Sequence, residues 1–166
     1  MRDVTKDPIQ KTKVAIIGAG FGGLAMAIRL LQSQINDFVI LEKTNDVGGT
    51  WRENQYPGAA CDVQSHMYSL SFAPKTDWSK RYAEADEIFT YIQDITEQYK
   101  LKDYCKFNHE VTHAQFDENR NVWTVEFKDQ PTLEAQFVIF ASGPLHVPQI
   151  PHIKGIEKFK GKVFHS

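Results

Sequence analysis

The 166-residue sequence predicts an α/β fold: a parallel sheet flanked by helices, with a three-stranded β-meander inserted into it. Three observations predict it. An apolar run, a glycine-rich turn, a helical period and a second apolar run follow one another near the N-terminus. Three β-rich runs separated by short polar turns lie in the second half. The composition, 42% hydrophobic and 24% charged, is that of a chain that folds.

Lys13 to Ile17 (KVAII) is a continuous apolar run of the kind expected for a parallel strand buried on both faces. Leu24, Ala27, Ile28 and Leu31 then recur at helical spacing, and Phe38 to Leu41 (FVIL) supplies a second buried strand, completing a βαβ unit. Lys43 to Pro74 carries glycines, prolines and aromatics without a period and is predicted to be one long irregular segment, of the kind that usually serves function. Ile88, Ile92, Ile95 and Tyr99 mark one face of an amphipathic helix, with Asp86 and Glu87 at its electrostatically favourable start. Val111 to Phe116, Val122 to Phe127 and Leu133 to Phe140 form the meander, separated by the turn-prone DENRN and KDQP. The last run, FVIFA, is wholly apolar, so its end is predicted to rejoin the parallel sheet and deliver Ala141, Ser142 and Gly143 to the sheet's carboxyl edge.

Several function classes are disfavoured. The formal net charge is −2 and the basic residues are scattered, so neither nucleic acid nor an anionic membrane is an expected partner. Met1 to Lys11 is a polar tail without the apolar core of a secretory signal. The longest apolar stretch, around Gly23 to Leu31, is interrupted by Arg29 and falls far short of the roughly 20 residues that cross a bilayer, so a soluble, cytoplasmic protein is expected. Cys61 and Cys105 lie far apart without CxxC spacing and are read as reduced structural thiols. No metal site is expected, because His66, His109, His113, His146 and His152 lack ligand spacing.

Gly18, Gly20 and Gly23 stand in G-x-G-x-x-G between the first strand and the first helix. In that context Gly18 permits a tight turn, Gly20 lets the backbone approach a pyrophosphate, and Gly23 allows helix and strand to pack closely. The pyrophosphate then lies at the helix N-terminus, where open N–H groups favour an anion. Glu42 ends the second strand, about 20 residues on, where such a fold places an acid for ribose hydroxyls. Its charge would repel a 2′-phosphate, so this Rossmann-like site is read as one for FAD or NAD rather than NADP. The βαβ unit alone does not separate those two.

The next segment does. GGTWRENQYPGAACD, from Gly48 to Asp62, resembles the motif of Baeyer-Villiger monooxygenases, class B flavin-dependent enzymes, with Gly48, Gly49, Trp51, Tyr56, Pro57, Gly58 and Asp62 at the defining positions. Phe159, Gly161 and His165 begin the F-x-G-x-x-x-H of a second signature, and the resemblance runs from Val14 to Ser166. It implies that Gly18, Gly20, Phe21, Gly22, Gly23 and Glu42 hold the ADP part of FAD. It places Gly49, Thr50 and Trp51 toward the flavin, where a glycine pair and a flat indole suit a planar ring; plain core packing is the alternative for Trp51. Tyr68 is implied to reach the flavin, and Val111 to meet the adenine through its backbone. Asp62 is the implied catalytic residue, a carboxylate beside the flavin that pairs with an arginine of an NADP-binding domain; an Asx turn is its alternative. His165 is implied to belong to a linker that couples domain movements.

What the resemblance implies for function is an NADPH- and oxygen-dependent reaction on a small molecule, either insertion of oxygen into a ketone or transfer to a heteroatom. The expected organisation is a flexible tail at 1–11, the N-terminal part of an FAD-binding domain at 12–143, and a linker at 144–166 toward an NADP-binding domain that the chain does not include. No second G-x-G-x-x-G follows Gly23, so the NADPH site is expected to lie elsewhere. A partial FAD-binding portion with surfaces left open to association is therefore the reading. The alternatives are a stand-alone FAD module without monooxygenase activity and a small NAD-dependent dehydrogenase.

Overall fold

The computed structural model of the protein describes residues 10–163. One mixed sheet of six strands, in the order β3-β2-β1-β6-β5-β4, organises the chain. β1 is Gln10–Ile17, β2 Phe38–Leu41, β3 Cys105–Lys106, β4 Val111–Asp117, β5 Val122–Phe127 and β6 Leu133–Phe140. The helices are α1 Phe21–Gln32, α2 Thr50–Glu53 and α3 Ala85–Gln98, with short 3-10 turns at Ser65–Met67, Leu101–Tyr104 and Ile156–Lys158.

β1 lies between β2 and β6 and is parallel to both, with Val14 opposite Phe38 and Phe137, and Ile17 opposite Leu41 and Phe140. Burial on both faces explains its unbroken apolar run. Val14 and Ile16 join Leu24, Ala27 and Ile28 of α1 and Ile88 and Ile92 of α3 in one core. Ala15 joins Val39, Leu41, Val125, Leu133 and Ala135 in a second. Each fully buried aliphatic side chain there contributes roughly 1.5–3 kcal/mol. The chain leaves β1 through α1 to β2 on one side, while β6 sits on the other. The carboxyl end of β1 is thus a switch point, where open α/β sheets place their ligands.

The structure refines several expectations. The meander is present, but it is one wing of the same sheet: β6 runs beside β1 from Gln10 and Leu133 to Ile17 and Phe140, and β5 and β4 follow antiparallel. β1 begins at Gln10, so Gln10 and Lys11, expected in the tail, are strand residues paired with Leu133 and Glu134. β3, a two-residue strand that pairs with β2, escapes the hydrophobic period because it is too short to carry one. The 43–74 segment contains α2, a single helical turn. α3 ends at Gln98, and Tyr99, expected on the helix face, is its C-cap. Ala141 and its successors do arrive at the carboxyl edge, where the Ala141 N–H donates to the Ile17 carbonyl at 2.9 Å. His165 lies outside the described residues.

Candidate functional site

The glycine turn is built as the fingerprint requires. The Gly18 N–H donates to the Leu41 carbonyl at 2.8 Å, and φ of +105° reverses the chain in a region that side chains disfavour. A Cβ at Gly23 would lie 1.9 Å from the Gly18 carbonyl oxygen and 3.3 Å from Ile16 Cγ2, so this glycine is demanded by helix–strand packing. Gly20 is different. It caps α1 with φ −85° and ψ −168°, and the nearest atom to a Cβ there is Gly49 Cα at 3.7 Å. Gly22 is exposed, and a Cβ on it would touch only the Ala141 side chain, at 3.9 Å. Neither the backbone angles nor the packing of the chain asks for glycine at these two positions. The twelve-residue α1 carries no side-chain cap and no acid in its first turn. An uncapped helix start with room for a group to approach its N–H donors suits a pyrophosphate.

Glu42 is buried, at 6% exposure, so its carboxylate needs partners. Oε2 accepts the Ala19 N–H at 2.8 Å, and Oε1 accepts both the N–H and the hydroxyl of Thr44 at 2.9 Å. The acid expected to meet a ribose therefore also fixes the glycine turn. Behind it, the Glu42 carbonyl accepts the His109 N–H at 2.8 Å. That bond brings the chain entering β4, and with it half-buried Val111, to the Glu42 end of the site.

The second glycine pair docks on the first loop. Gly48 N–H donates to the Ala19 carbonyl at 3.0 Å, and a Cβ on Gly49 would lie 3.1 Å from Gly20 Cα. A Cβ on Gly48, at φ +128°, would meet the Phe89 ring at 2.6 Å. The close approach that the structure displays for this pair is thus to the polypeptide itself. α2 follows at once and carries Thr50 and Trp51, both half-buried. Trp51 packs against the core and donates its indole N–H to the Tyr68 hydroxyl at 3.1 Å, so its single donor is engaged by Tyr68. Tyr68 stands edge-on to Trp51 at 5.6 Å and to Phe21 at 5.3 Å, joining the first residue of α1 to α2. Burial pushes the Tyr68 hydroxyl above its ordinary pKa; the Trp51 donation opposes this, and Cys61 and Asp62 add to it.

Asp62 is exposed, and among the described residues nothing donates to its carboxylate, so the Asx turn considered for it does not form. Its charge is felt at Tyr68. Gly18, Gly20, Phe21, Gly23, Glu42, Gly49, Thr50, Trp51 and Tyr68 thus gather around the carboxyl ends of β1 and β2. Sequence reasoning missed Thr44, Arg52 and Tyr91. The first two link the acid to α2. Tyr91 of α3 accepts the Leu70 N–H at 2.9 Å and donates to the Ala73 carbonyl at 2.7 Å, pinning the loop that bears Tyr68. Arg52 lies inside the quoted motif and Thr44 two residues past the acid, and those positions were the available signal.

Comparison with known proteins agrees with this geometry. Residues 15–166 match the family model described as pyridine nucleotide-disulphide oxidoreductase. The chain is 44% identical over 157 residues to a Baeyer-Villiger monooxygenase of Streptomyces coelicolor, covering 95% of this chain and 30% of the relative. It is 46% identical over 154 residues to a Baeyer-Villiger monooxygenase of Pseudomonas aeruginosa, covering 93% of this chain and 29% of that enzyme. The crystal structure of OTEMO complexed with FAD and NADP superposes with a TM-score of 0.81 at 33% identity, over 93% of this chain and 30% of that one. The chain thus spans about 30% of the length of the relatives it matches. The chain belongs to the pyridine nucleotide-disulphide oxidoreductase family, and over nearly all of its length it is similar to a part of Baeyer-Villiger monooxygenases.

Proposed function

We propose that this chain forms the FAD-binding portion of an NADPH- and oxygen-dependent monooxygenase that acts on a small ketone or heteroatom compound in the cytoplasm. The observation that carries the reading is the uncapped start of α1, with Gly20 and Gly22 leaving space that the protein's own packing does not claim. The α1 N–H groups hold the pyrophosphate there, and the buried Glu42 receives the adenosine ribose. Val111 borders the adenine. Thr50, Trp51 and Tyr68 face the flavin end with two hydroxyls and two aromatic surfaces.

FAD, when bound, supplies the redox chemistry through which such enzymes use NADPH and oxygen. The chain's own residues bind and orient it. Asp62, exposed and without a hydrogen-bond donor among the described residues, holds a cationic arginine supplied from outside this segment and so acts as the catalytic carboxylate. The FAD-binding unit runs from β1, which begins at Gln10, to residue 143, and 144–166 lead toward the NADP-binding domain. The relatives support this reading over a small NAD-dependent dehydrogenase, since those compared are named monooxygenases and the solved one carries both FAD and NADP.

The test is reconstitution of the purified chain with FAD. The expected result is a bound flavin with a perturbed visible spectrum and no NADPH oxidation by the chain alone. A folded chain that stays colourless would contradict it.

A further inference from the structure

Thr44 and Arg52 stand behind Glu42 in a chain of hydrogen bonds that the fingerprint does not contain. Arg52 Nη1 donates to Thr44 Oγ1 at 3.0 Å, and Nη2 donates to the Asn45 side-chain oxygen. Thr44 Oγ1 lies 2.9 Å from Glu42 Oε1 and 3.1 Å from the Asp46 carbonyl. A hydroxyl has a single proton, so Thr44 serves one of these acceptors at a time. The carboxylate is the stronger acceptor, because a bond to a charged oxygen is about twice as strong as a neutral one. The guanidinium occupies a lone pair of Oγ1 and leaves the proton to Glu42.

The count of lone pairs then sets where a ribose can bind. Oε1 already accepts two hydrogen bonds, from the Thr44 N–H and hydroxyl, and is full. Oε2 accepts one, from the Ala19 N–H, and keeps one site open. We infer that Arg52 and Thr44 are positioning residues: they saturate Oε1, aim the free lone pair of Oε2 at a ribose hydroxyl, and tie that acceptor to the helix carrying Trp51. This inference rests on the proposed binding of FAD. The tie is a closed circuit. Ala19 donates to Glu42, Glu42 is held by Thr44, Thr44 by Arg52 of α2, and Gly48 just before α2 donates back to the Ala19 carbonyl at 3.0 Å. A shift of Glu42 is therefore transmitted to both glycine loops.

The test compares the wild type with Thr44→Val, which removes the hydroxyl at nearly constant shape, Thr44→Ser, which keeps it, and Arg52→Leu. Two readouts are taken on each. The first is the ratio of dissociation constants for FAD and for an FAD analogue lacking the adenosine 2′-hydroxyl. Thr44→Val and Arg52→Leu are expected to weaken FAD about tenfold and to bring the ratio close to one, as loss of a bond to a charged acceptor predicts. Thr44→Ser is expected to keep the wild-type ratio. A purely structural role would weaken both ligands equally, and an unchanged ratio in the Val and Leu variants would overturn the inference.

The second readout needs no cofactor. Amide hydrogen exchange at Ala19 is expected to accelerate in Thr44→Val and Arg52→Leu but not in Thr44→Ser. Unchanged protection of Ala19 in all variants would overturn the relay. If the wild type binds no FAD, the proposed function fails, and Ala19 exchange still decides the relay.

Discussion

Gly20 and Gly23 are neighbours in the same fingerprint, yet different demands place a glycine at each. At Gly23 a methyl group would strike the Gly18 carbonyl at 1.9 Å, whereas at Gly20 it would find nothing of the chain closer than 3.7 Å. Gly23→Ala is therefore expected to destabilise the fold by about 3 kcal/mol, the upper range for overpacking. Gly20→Ala should cost under about 1 kcal/mol, since its φ and ψ are ordinary extended values and the helix loses only a cap preference. Chemical denaturation separates the two, and FAD titration should find binding lost in folded Gly20→Ala. A wild-type affinity there would remove the pyrophosphate from this turn. The roles of Gly18 and Gly23 were legible in the sequence because they are properties of the backbone. The protein-held state of Glu42 was not, because its partner Ala19 becomes a neighbour only after β1 and β2 pair, and the local Thr44 bonds depend on how the chain turns after β2.

Among the elements, α1 and every strand but the two-residue β3 were legible because their hydrophobic patterns run long enough to read. α2 was hidden, since a single turn has no period, and its place is set by contacts to Gly20, Thr44 and Phe89 that no local pattern reports. α3 was found as an amphipathic helix, but its functional side chain is Tyr91, not the aliphatic face. The Tyr91 hydroxyl bridges Leu70 and Ala73, and its ring stacks on Phe21 with centroids 5.9 Å apart, so α3 holds the Tyr68 loop in place. Tyr91→Phe removes both bonds and strands two backbone groups. The expected loss is about 1–3 kcal/mol of stability, with a change in Trp51 fluorescence as Tyr68 relaxes.

Burial, opposed by the Leu70 N–H, raises the Tyr91 hydroxyl above its ordinary pKa of 10.0. The folded state then holds this proton more tightly than the unfolded chain. Its contribution is fully present below pH 10 and is lost as pH rises through the folded value. Alkaline unfolding of the wild type should lie at lower pH than neutral-pH stability alone would give, and Tyr91→Phe should lessen that sensitivity. An identical alkaline profile in both would exclude this linkage. The meander has its own acidic counterpart. Hydrogen bonds from Arg120 lower both Asp117 and Glu134 below the ordinary carboxylate range. Their stability is present above the ordinary range and lost as pH falls through the depressed values, and Arg120→Gln should flatten that acid limb.

Over the whole molecule, the sheet and its segment after β6 leave large apolar side chains in solvent. Phe137 and Phe140 are 57% and 63% exposed, and Leu145, Val147 and Ile150 are 73%, 72% and 68% exposed. Exposed apolar patches on proteins commonly serve as contact faces. The chain alone is expected to self-associate with rising concentration in sedimentation velocity, and Phe137→Ser with Leu145→Ser should reduce it. A wild-type monomer at high concentration would contradict that. Among the described residues no helix is long and apolar enough to cross a membrane. The resemblance was legible from the glycine fingerprint and the Gly48 to Asp62 segment, because their glycines report close turns of the backbone. The coupling between their loops was not, because it runs through side chains distant in sequence.

The most direct measurement is a competitive titration of the wild-type chain and Glu42→Ala with FAD and NAD, read by flavin fluorescence. FAD is expected to bind the wild type in preference to NAD, and Glu42→Ala to lose most of that affinity while remaining folded. A folded wild type that prefers NAD, or FAD binding indifferent to Glu42, would contradict the assignment of this switch-point site to FAD.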